Sequence, residues 1–283
     1  YPATAIPDLS SYGYAVVGYS WDTAPAGAGT YTAATTVPTK PISADATIYY
    51  VYIAPEWVDI DLFNSDDSLF GLMGDLWSDY FEYVGDKSDT MGTGGTGGTL
   101  TIKQAAPSDT KFRIWTSATG SGHYVNGIVI ETSATVMIDD IEVTGNIEIK
   151  GTSAAPSSAV TLLLSDANVV NGSILVPSGQ TLVIDEDPTY VTNSIPESLT
   201  VTATQAGYAG IGGYGIASNS PTRDAGSIII EGGVISASGG PGDIADIQHG
   251  SAGIGGGYYG SGGNITINGG TVTAVGGPGN LIA

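Results

Sequence analysis

Cysteine is absent from this chain, and basic residues are rare. Its 283 residues include 7 Lys and Arg against 28 Asp and Glu, which gives a formal net charge of -21. Without thiols there is no disulfide framework, thiolate metal site or cysteine nucleophile. Nucleic acids and anionic lipid surfaces are bound through Lys and Arg, so the excess of acid argues against both kinds of partner.

Long apolar runs and catalytic motifs are also missing. No stretch approaches the roughly 20 apolar residues that span a bilayer. The two histidines, His123 and His249, each lie beside a glycine, and no Gly-x-Ser-x-Gly elbow is present. The lack of thiols, the acidity and the abundant Thr, Ser and Gly favour an extracellular location. Because the sequence starts at Tyr1 rather than Met, we expect a processed or excised piece.

Glycine, by contrast, is abundant, with 43 residues, and part of it lies in an internal repeat. The motif AGIGG at residues 209–213 leads into GSIIIEGGVISASGGPG at 226–242, and AGIGGG at 252–257 leads into GNITINGGTVTAVGGPG at 263–279. The strand blocks recur at an offset of 37 (263 minus 226) and the turn blocks at 43 (252 minus 209). Self-similarity at such a period is typical of a solenoid.

Short alternating segments follow one another from Thr99 onward and predict strands. Alternation in TLVI sends Leu182 and Ile184 inward, and in NITI it sends Ile265 and Ile267 to one face and Thr266 to the other. The similar positions Ile128 and Ile147 lie 19 residues apart (147 minus 128), about one turn of a three-sided coil.

These strands predict a mainly β fold in which residues 98–283 form a parallel β-helix. Gly-Gly pairs would make its corners, and the sequence would stop midway through a further repeat. An antiparallel sandwich is the alternative, but the turns of a sandwich do not require a sequence repeat at an offset of 37 residues.

The first third of the chain has a different amino-acid composition. Residues 1–54 are rich in Tyr, Thr and Pro, and short strands at 15–17, 30–32 and 47–53 predict a small β module. Residues 55–97 predict a helical cap over the first coil, ending in a Gly-rich joint at 91–99. The apolar positions that recur at helical spacing are Leu69, Leu72, Met73, Leu76, Tyr80, Phe81, Tyr83 and Val84.

Two segments resemble known families. Gly18-Tyr19-Ser20-Trp21 and the stretch from Ile42 to Tyr52 resemble the Listeria-Bacteroides repeat, a small β-grasp-like module of bacterial surface proteins. From Val160 to the end, the order of SLTVTA, the two AGIGG blocks and their strands resembles Gly-rich surface proteins of Gram-positive bacteria, often described as carbohydrate-binding-domain-containing. This second resemblance implies a right-handed parallel β-helix on the bacterial cell surface.

Calcium is the one cofactor that the acidic pattern indicates. Oxygen donors alternate as at the start of a calcium loop, although the turn glycine and terminal Glu of an EF-hand are missing. These donors are Asp59, Asp61, Asn64, Asp66 and Asp67. Asp185 and Asp187, at a predicted strand end, form a second candidate. The alternative for both groups is a solvated acidic surface.

Three tyrosines after the AGIGG blocks, Tyr214, Tyr258 and Tyr259, are candidates for carbohydrate binding, because aromatic faces stack on sugar rings. If the coils stack in register, Tyr214 and Tyr258 would lie one above the other. The alternative is an aromatic ladder that protects the backbone.

A polysaccharide-cleaving enzyme would need two carboxylates in one cleft. Asp139 and Asp140 are adjacent in a strand and point to opposite faces, so a pair would need Glu131, Glu142 or Glu148 from a neighbouring coil. We therefore predict a protein that is not an enzyme.

The end of the sequence predicts self-association. Asn280, Leu281 and Ile282 would lie on an uncapped last coil with open backbone donors and acceptors. We expect a structural or adhesive protein that associates end to end as a homo-oligomer or filament.

Overall fold

A computed structural model describes residues 15–21, 48–53, 57–62, 80–85, 98–106, 110–116, 124–150, 159–186, 196–215, 223–242 and 249–279. The chain divides into two compact units, residues 1–58 and 59–283. The described part of the chain is mainly β. It contains no helix with the length and apolar character needed to cross a membrane.

The first unit contains an antiparallel strand pair. Strands β1 (Ala15–Trp21) and β2 (Ile48–Ile53) pair from Ala15 with Ile53 to Trp21 with Ile48, and the register shifts between Val16 and Gly18. These strands confirm two of the three that the sequence predicts in this region. The third, at residues 30–32, lies outside the described residues.

The remaining strands are short. They are β3 (Trp57–Asp61), β4 (Phe81–Val84), β5 (Thr99–Ile102), β6 (Lys111–Trp115), β7 (Tyr124–Val125), β8 (Gly127–Ile130), β9 (Thr135–Asp139), β10 (Glu142–Val143), β11 (Ile147–Ile149), β12 (Ala159–Ser165), β13 (Ala167–Val170), β14 (Ile174–Leu175), β15 (Thr181–Glu186), β16 (Ser198–Thr202), β17 (Ile211–Gly212), β18 (Ser227–Ile230), β19 (Val234–Ser238), β20 (Ile254–Gly255), β21 (Asn264–Ile267) and β22 (Thr271–Val275).

These strands form three sheets. Sheet A has the order β3-β6-β9-β12-β15-β18-β21, sheet B the order β4-β5-β8-β11-β14-β17-β20, and sheet C the order β7-β10-β13-β16-β19-β22. From β5 onward the chain visits B, A and C in strict rotation, six times. We call each set of three consecutive strands, one per sheet, a rung. The first rung is β5, β6 and β7, and the last rung is β20, β21 and β22.

Within each sheet, strands of consecutive rungs run parallel. Ile128 pairs with Ile147 in sheet B, which confirms their predicted equivalence. Ile228 pairs with Ile265, and Ile211 with Ile254, so the offsets of 37 and 43 residues are those of real strand pairs. An antiparallel sandwich is therefore wrong for this region, because the chain returns to each sheet in the same direction.

Aliphatic side chains stack between the sheets. One column in sheet A runs through all six rungs, and its first five members are fully buried. The column consists of Phe112, Val136, Leu162, Ile184, Ile230 and Ile267. Leu182 and Ile184 point inward as predicted. Burial of apolar surface at about 25 cal/mol per Å² is the main term that stabilises such a stack.

Glycine pairs occupy corners, as the sequence predicts. Gly233 and Gly270 lie in equivalent corners of consecutive rungs with φ of 84° and 75°. L-residues with a side chain rarely adopt this left-handed region. A Cβ on Gly270 would also collide with the carbonyl oxygen of Gly233.

The two ends of the stack differ. At the first rung, β4 pairs antiparallel with β5, and Leu100 and Ile102 are fully buried. In the last rung, Ile265 is 42% exposed and Ile267 is 53% exposed.

The predicted helix is wrong where the structure describes it. Phe81–Val84 form strand β4, in which Phe81 is buried and Glu82 is exposed. The edge of β5 supplies hydrogen-bond partners that favour a strand, and the N–H of Lys103 donates to the carbonyl of Tyr80 at 2.7 Å. The predicted helical positions from Leu69 to Leu76 lie outside the described residues.

Candidate functional site

Tyr214 is anchored on the outer face of sheet B. It follows β17, and its hydroxyl donates a hydrogen bond to Oε1 of Glu148 in β11, two strands away. The Nζ atom of Lys150 lies 3.6 Å from Oε2 of the same carboxylate. Leu175, in the intervening strand β14, is buried. The segment after β17 therefore lies back over the sheet and is held there by Tyr214.

Its surroundings keep the Tyr214 hydroxyl protonated. Burial raises the pKa of Tyr214 far above its ordinary value, and the hydrogen bond to Glu148 and that carboxylate's charge raise it further. The ring also packs at a tilt against Tyr208, with centroids 6.1 Å apart. Tyr214 thus has the surroundings of a structural anchor.

Tyr258 and Tyr259 lie in a tight turn after β20. The N–H of Gly260 donates to the carbonyl of Gly257 at 2.8 Å and closes the turn. Tyr258 is only 8% exposed, whereas Tyr259 is 78% exposed, and their ring centroids are 4.2 Å apart. Tyr259 also has a φ of 58°, a conformation that favours glycine. Of the three predicted sugar-binding tyrosines, Tyr259 presents the most accessible ring.

The expected stacking of Tyr214 on Tyr258 is wrong by one residue. Gly212 pairs with Gly255, and this register places Gly257 over Tyr214. A Cβ on Gly257 would collide with the carbonyl oxygen of Tyr214. The N–H of Tyr258 instead donates to the carbonyl of Gly207 at 2.8 Å. Close backbone contact therefore replaces the predicted aromatic pair.

Arg113 organises a charge cluster that the sequence analysis missed. Its Nε donates to Oδ2 of Asp139 at 2.9 Å, and its Nη2 donates to the same oxygen. Asp59 lies farther away, with Oδ1 3.8 Å from Nη1. The guanidinium stacks over the ring of Trp115 at 4.8 Å. The only sequence signal was a rare arginine in an alternating strand.

Asp59, a predicted calcium ligand, therefore faces a cation. Burial raises the pKa of its carboxyl; the charge of Arg113 lowers it, and the charges of Asp139 and Asp61 raise it again. Within the described ranges, no group of three or more His, Cys, Asp or Glu side chains is placed to hold a metal. The Asp185 carboxylate accepts from the N–H of Glu186 at 2.9 Å. Asn64, Asp66, Asp67 and Asp187 lie outside the described residues, so calcium binding stays a prediction.

The carboxylates considered for hydrolysis have structural partners. Asp139 is buried against Arg113, whereas Asp140 is exposed at a bend after β9 with a φ of 51°, so strand alternation does not set its direction as the sequence predicted. Glu142 accepts from Nδ2 of Asn171 at 2.6 Å, and Glu148 holds Tyr214. In each of these two contacts, a carboxylate oxygen accepts a hydrogen bond from another side chain of the fold. Glu131 is half-buried in the loop after β8.

The predicted self-association residues Asn280, Leu281 and Ile282 lie outside the described residues. The last rung next to them is described, and it exposes Ile265, Ile267 and Val275. The sequence from Gly250 onward contains no Asp, Glu, Lys, Arg or His. Self-association through the final residues therefore stays a prediction.

Comparison of the chain with models of known protein families, with curated proteins and with solved structures gave no match. The resemblances to surface-protein families therefore stay predictions.

Proposed function

We propose that this chain is an extracellular structural or adhesive element of a bacterial cell surface, without enzymatic activity. Its second unit would be a right-handed parallel β-helix. The observation that supports this most is the strict rotation of the chain through three parallel sheets with aliphatic columns buried between them. Right-handedness is the expected sense, because crossover connections between parallel strands are right-handed in about 98% of cases.

Such a stack suits a mechanical role. Each rung is hydrogen-bonded along its strands to the rungs before and after it, so a load would be shared by parallel ladders. The fold needs no disulfide, in keeping with a chain that has no cysteine. The net charge of -21 would keep the surface soluble.

Single-molecule pulling of the full chain from its two ends tests the mechanical role. We expect successive force peaks, each releasing about one rung: at about 3.3 Å per residue, roughly 6 nm where register partners lie 19 residues apart and roughly 12 nm where they lie 37 apart. Antibody against the chain should also label intact cells that produce it. Extension without force peaks, or labelling only after the cells are permeabilised, would count against the proposal.

Carbohydrate binding is a second candidate function, supported by Tyr259. An L-residue in the left-handed region costs about 1 to 2 kcal/mol, yet this position holds a large exposed ring against Tyr258. The net charge of -21 favours a neutral glycan over an anionic one.

A glycan array with three proteins tests this second function. The wild type should retain a neutral glycan, Tyr259→Phe should keep the stacking face and the binding, and Tyr259→Ala should weaken binding about tenfold or more. All three should melt at similar temperatures. Equal binding by Tyr259→Ala and the wild type would rule out this ring as the contact.

Calcium binding by the acidic segment between Asp59 and Asp67, or by Asp185 and Asp187, is also proposed. If either site is occupied, adding a chelator to calcium-loaded protein should lower its melting temperature. An unchanged melting temperature would exclude calcium binding at both sites.

A further inference from the structure

We propose that Asn126, at the corner between β7 and β8, is a site of spontaneous modification, at which the side-chain amide is lost through ring closure onto the backbone nitrogen of Gly127. The reaction needs only water, and the proposal does not depend on the proposed surface role. The product is an aspartate or an isoaspartate at a corner inside the stack.

The chain contains three Asn-Gly dipeptides, which begin at Asn126, Asn171 and Asn268. The side-chain carbonyl carbon of an asparagine is open to attack by the backbone nitrogen of the next residue. Glycine permits this attack best, because it has no Cβ and reaches backbone conformations that other residues rarely adopt. The sequence makes the three dipeptides similar in reactivity, so a difference between them comes from the fold.

The fold holds two of the three side-chain amides. Nδ2 of Asn171 donates to Oε1 of Glu142 at 2.6 Å, and Nδ2 of Asn268 donates to both carboxylate oxygens of Glu231, at 2.9 and 3.0 Å. Asn126 is exposed, and within the described ranges its side chain has no hydrogen-bond partner. Rotation of the Asn126 amide toward the next backbone nitrogen therefore breaks no hydrogen bond, whereas each of the other two amides loses a charge-assisted one.

Access to water separates the first two dipeptides further. Gly127 is half-buried, whereas Gly172, which follows Asn171, is buried. The N–H of Gly127 donates to the carbonyl of Gly98 at 3.4 Å, a distance at which a hydrogen bond is weak. Solvent base can therefore reach the nitrogen of Gly127 and remove its proton, which the ring closure requires.

The reaction balances with water as the only other reactant. The deprotonated nitrogen of Gly127 forms a bond to Cγ of Asn126, the bond between Cγ and Nδ2 breaks, and the amide leaves as ammonia with a proton from water. Water then opens the cyclic imide at either of its two carbonyl carbons and leaves aspartate or isoaspartate.

The isoaspartate product does not fit this corner. It lengthens the backbone by one atom at the point where a Cβ on Gly145, in the next rung, would already collide with the carbonyl oxygen of Asn126. The aspartate product keeps the backbone but adds a negative charge to a chain whose net charge is already -21. We therefore expect the isoaspartate form to loosen the stacking of these two rungs.

Peptide mapping by mass spectrometry, after incubation of the full chain at mildly alkaline pH, tests the proposal. In the folded chain, the amide of Asn126 should be lost at least about tenfold faster than that of Asn171. In concentrated urea, which removes the fold, the two rates should agree within about threefold, because both sites read Val-Asn-Gly.

Gly127→Ala is the matched variant, and it should slow the loss at Asn126 by about tenfold or more. It is expected to fold, because the added Cβ would lie 3.4 Å from the carbonyl oxygen of Asn146, an ordinary contact. Circular dichroism and thermal melting check the fold of this variant.

Equal rates at Asn126 and Asn171 in the folded chain overturn the proposal, and so does a faster loss at Asn171. An unchanged rate at Asn126 in folded Gly127→Ala would exclude attack by the backbone nitrogen. Aspartate at this position without any isoaspartate would show direct hydrolysis of the amide and would also reject the ring closure.

Discussion

At the scale of single residues, the two carboxylates around Arg113 have unequal importance. Asp139 is buried and receives two hydrogen bonds from the guanidinium, whereas Asp59 is half-exposed and 3.8 Å away. Removing one partner of a buried ion pair leaves an uncompensated charge, while a looser pair near solvent contributes little. Position in the fold, rather than charge alone, decides which carboxylate stabilises the sheet.

We predict that Asp139→Asn lowers the free energy of unfolding by about 2 kcal/mol or more at pH 7, as measured by urea denaturation. Asp59→Asn, the matched control, should cost less than about 0.5 kcal/mol or stabilise the fold. Because the folded pKa of Asp59 is raised, its contribution to stability falls as pH rises through about 3.9 and above. Any gain in Asp59→Asn should therefore vanish in more acidic solution. Equal losses in the two variants would contradict this ranking.

The Tyr214 anchor makes a prediction at alkaline pH. Tyr214→Phe removes the donor to Glu148 and should lower the free energy of unfolding by about 1 to 3 kcal/mol at pH 7. A raised folded pKa means that the wild-type contribution is complete below the unfolded value of about 10 and is lost as pH rises above it. The stability difference between the two proteins should accordingly shrink above pH 10. A constant difference from pH 7 to pH 11 would argue against a protonated anchor.

At the scale of elements, period-two alternation was sufficient for most strands of the second unit. Segments such as Thr181–Glu186 and Ser227–Ile230 alternate mainly between buried and half-buried positions, so the sequence predicts them. The AGIGG blocks, interpreted as turns, contain the two-residue strands β17 and β20. A two-residue strand has no period to detect, and only pairing with neighbouring rungs defines it.

Other features depend on contacts that no local pattern encodes. Phe81–Val84 has apolar spacing compatible with a helix, but the adjacent edge of β5 makes it a strand. The register that places Gly257 over Tyr214 is, by contrast, the 43-residue offset of the AGIGG blocks, and the predicted tyrosine pair departed from that offset by one residue. The Arg113 cluster likewise joins residues that lie far apart in sequence.

Corner glycines provide a prediction for the elements they connect. Gly233 combines a φ of 84° with a close approach to Leu164, so Gly233→Ala should lower the free energy of unfolding by about 1 to 3 kcal/mol. Gly262 has open space where its Cβ would lie, so Gly262→Ala should be neutral or slightly stabilising. Thermal melting of both variants compares them. A neutral Gly233→Ala would show that this corner tolerates a side chain.

At the scale of the whole molecule, charge and apolar surface are unevenly distributed along the chain. All 28 acidic residues precede Gly250, and the exposed interior isoleucines belong to the uncharged sequence after it. Composition shows this uneven distribution of charge, but only the register of each strand shows which aliphatic side chains form the buried columns.

The central claim is that consecutive rungs stack in parallel, and the absence of cysteine allows a direct test by disulfide formation. Val234 pairs with Thr271 in the parallel register of β19 and β22, and both side chains are exposed. The double variant Val234→Cys with Thr271→Cys should form an intramolecular disulfide under mild oxidation, because paired strands lie about 4.8 Å apart. Val234→Cys with Val275→Cys should not, since Val275 lies at the far end of β22. Rapid crosslinking of the second pair and not the first would mean antiparallel strands and would contradict the account.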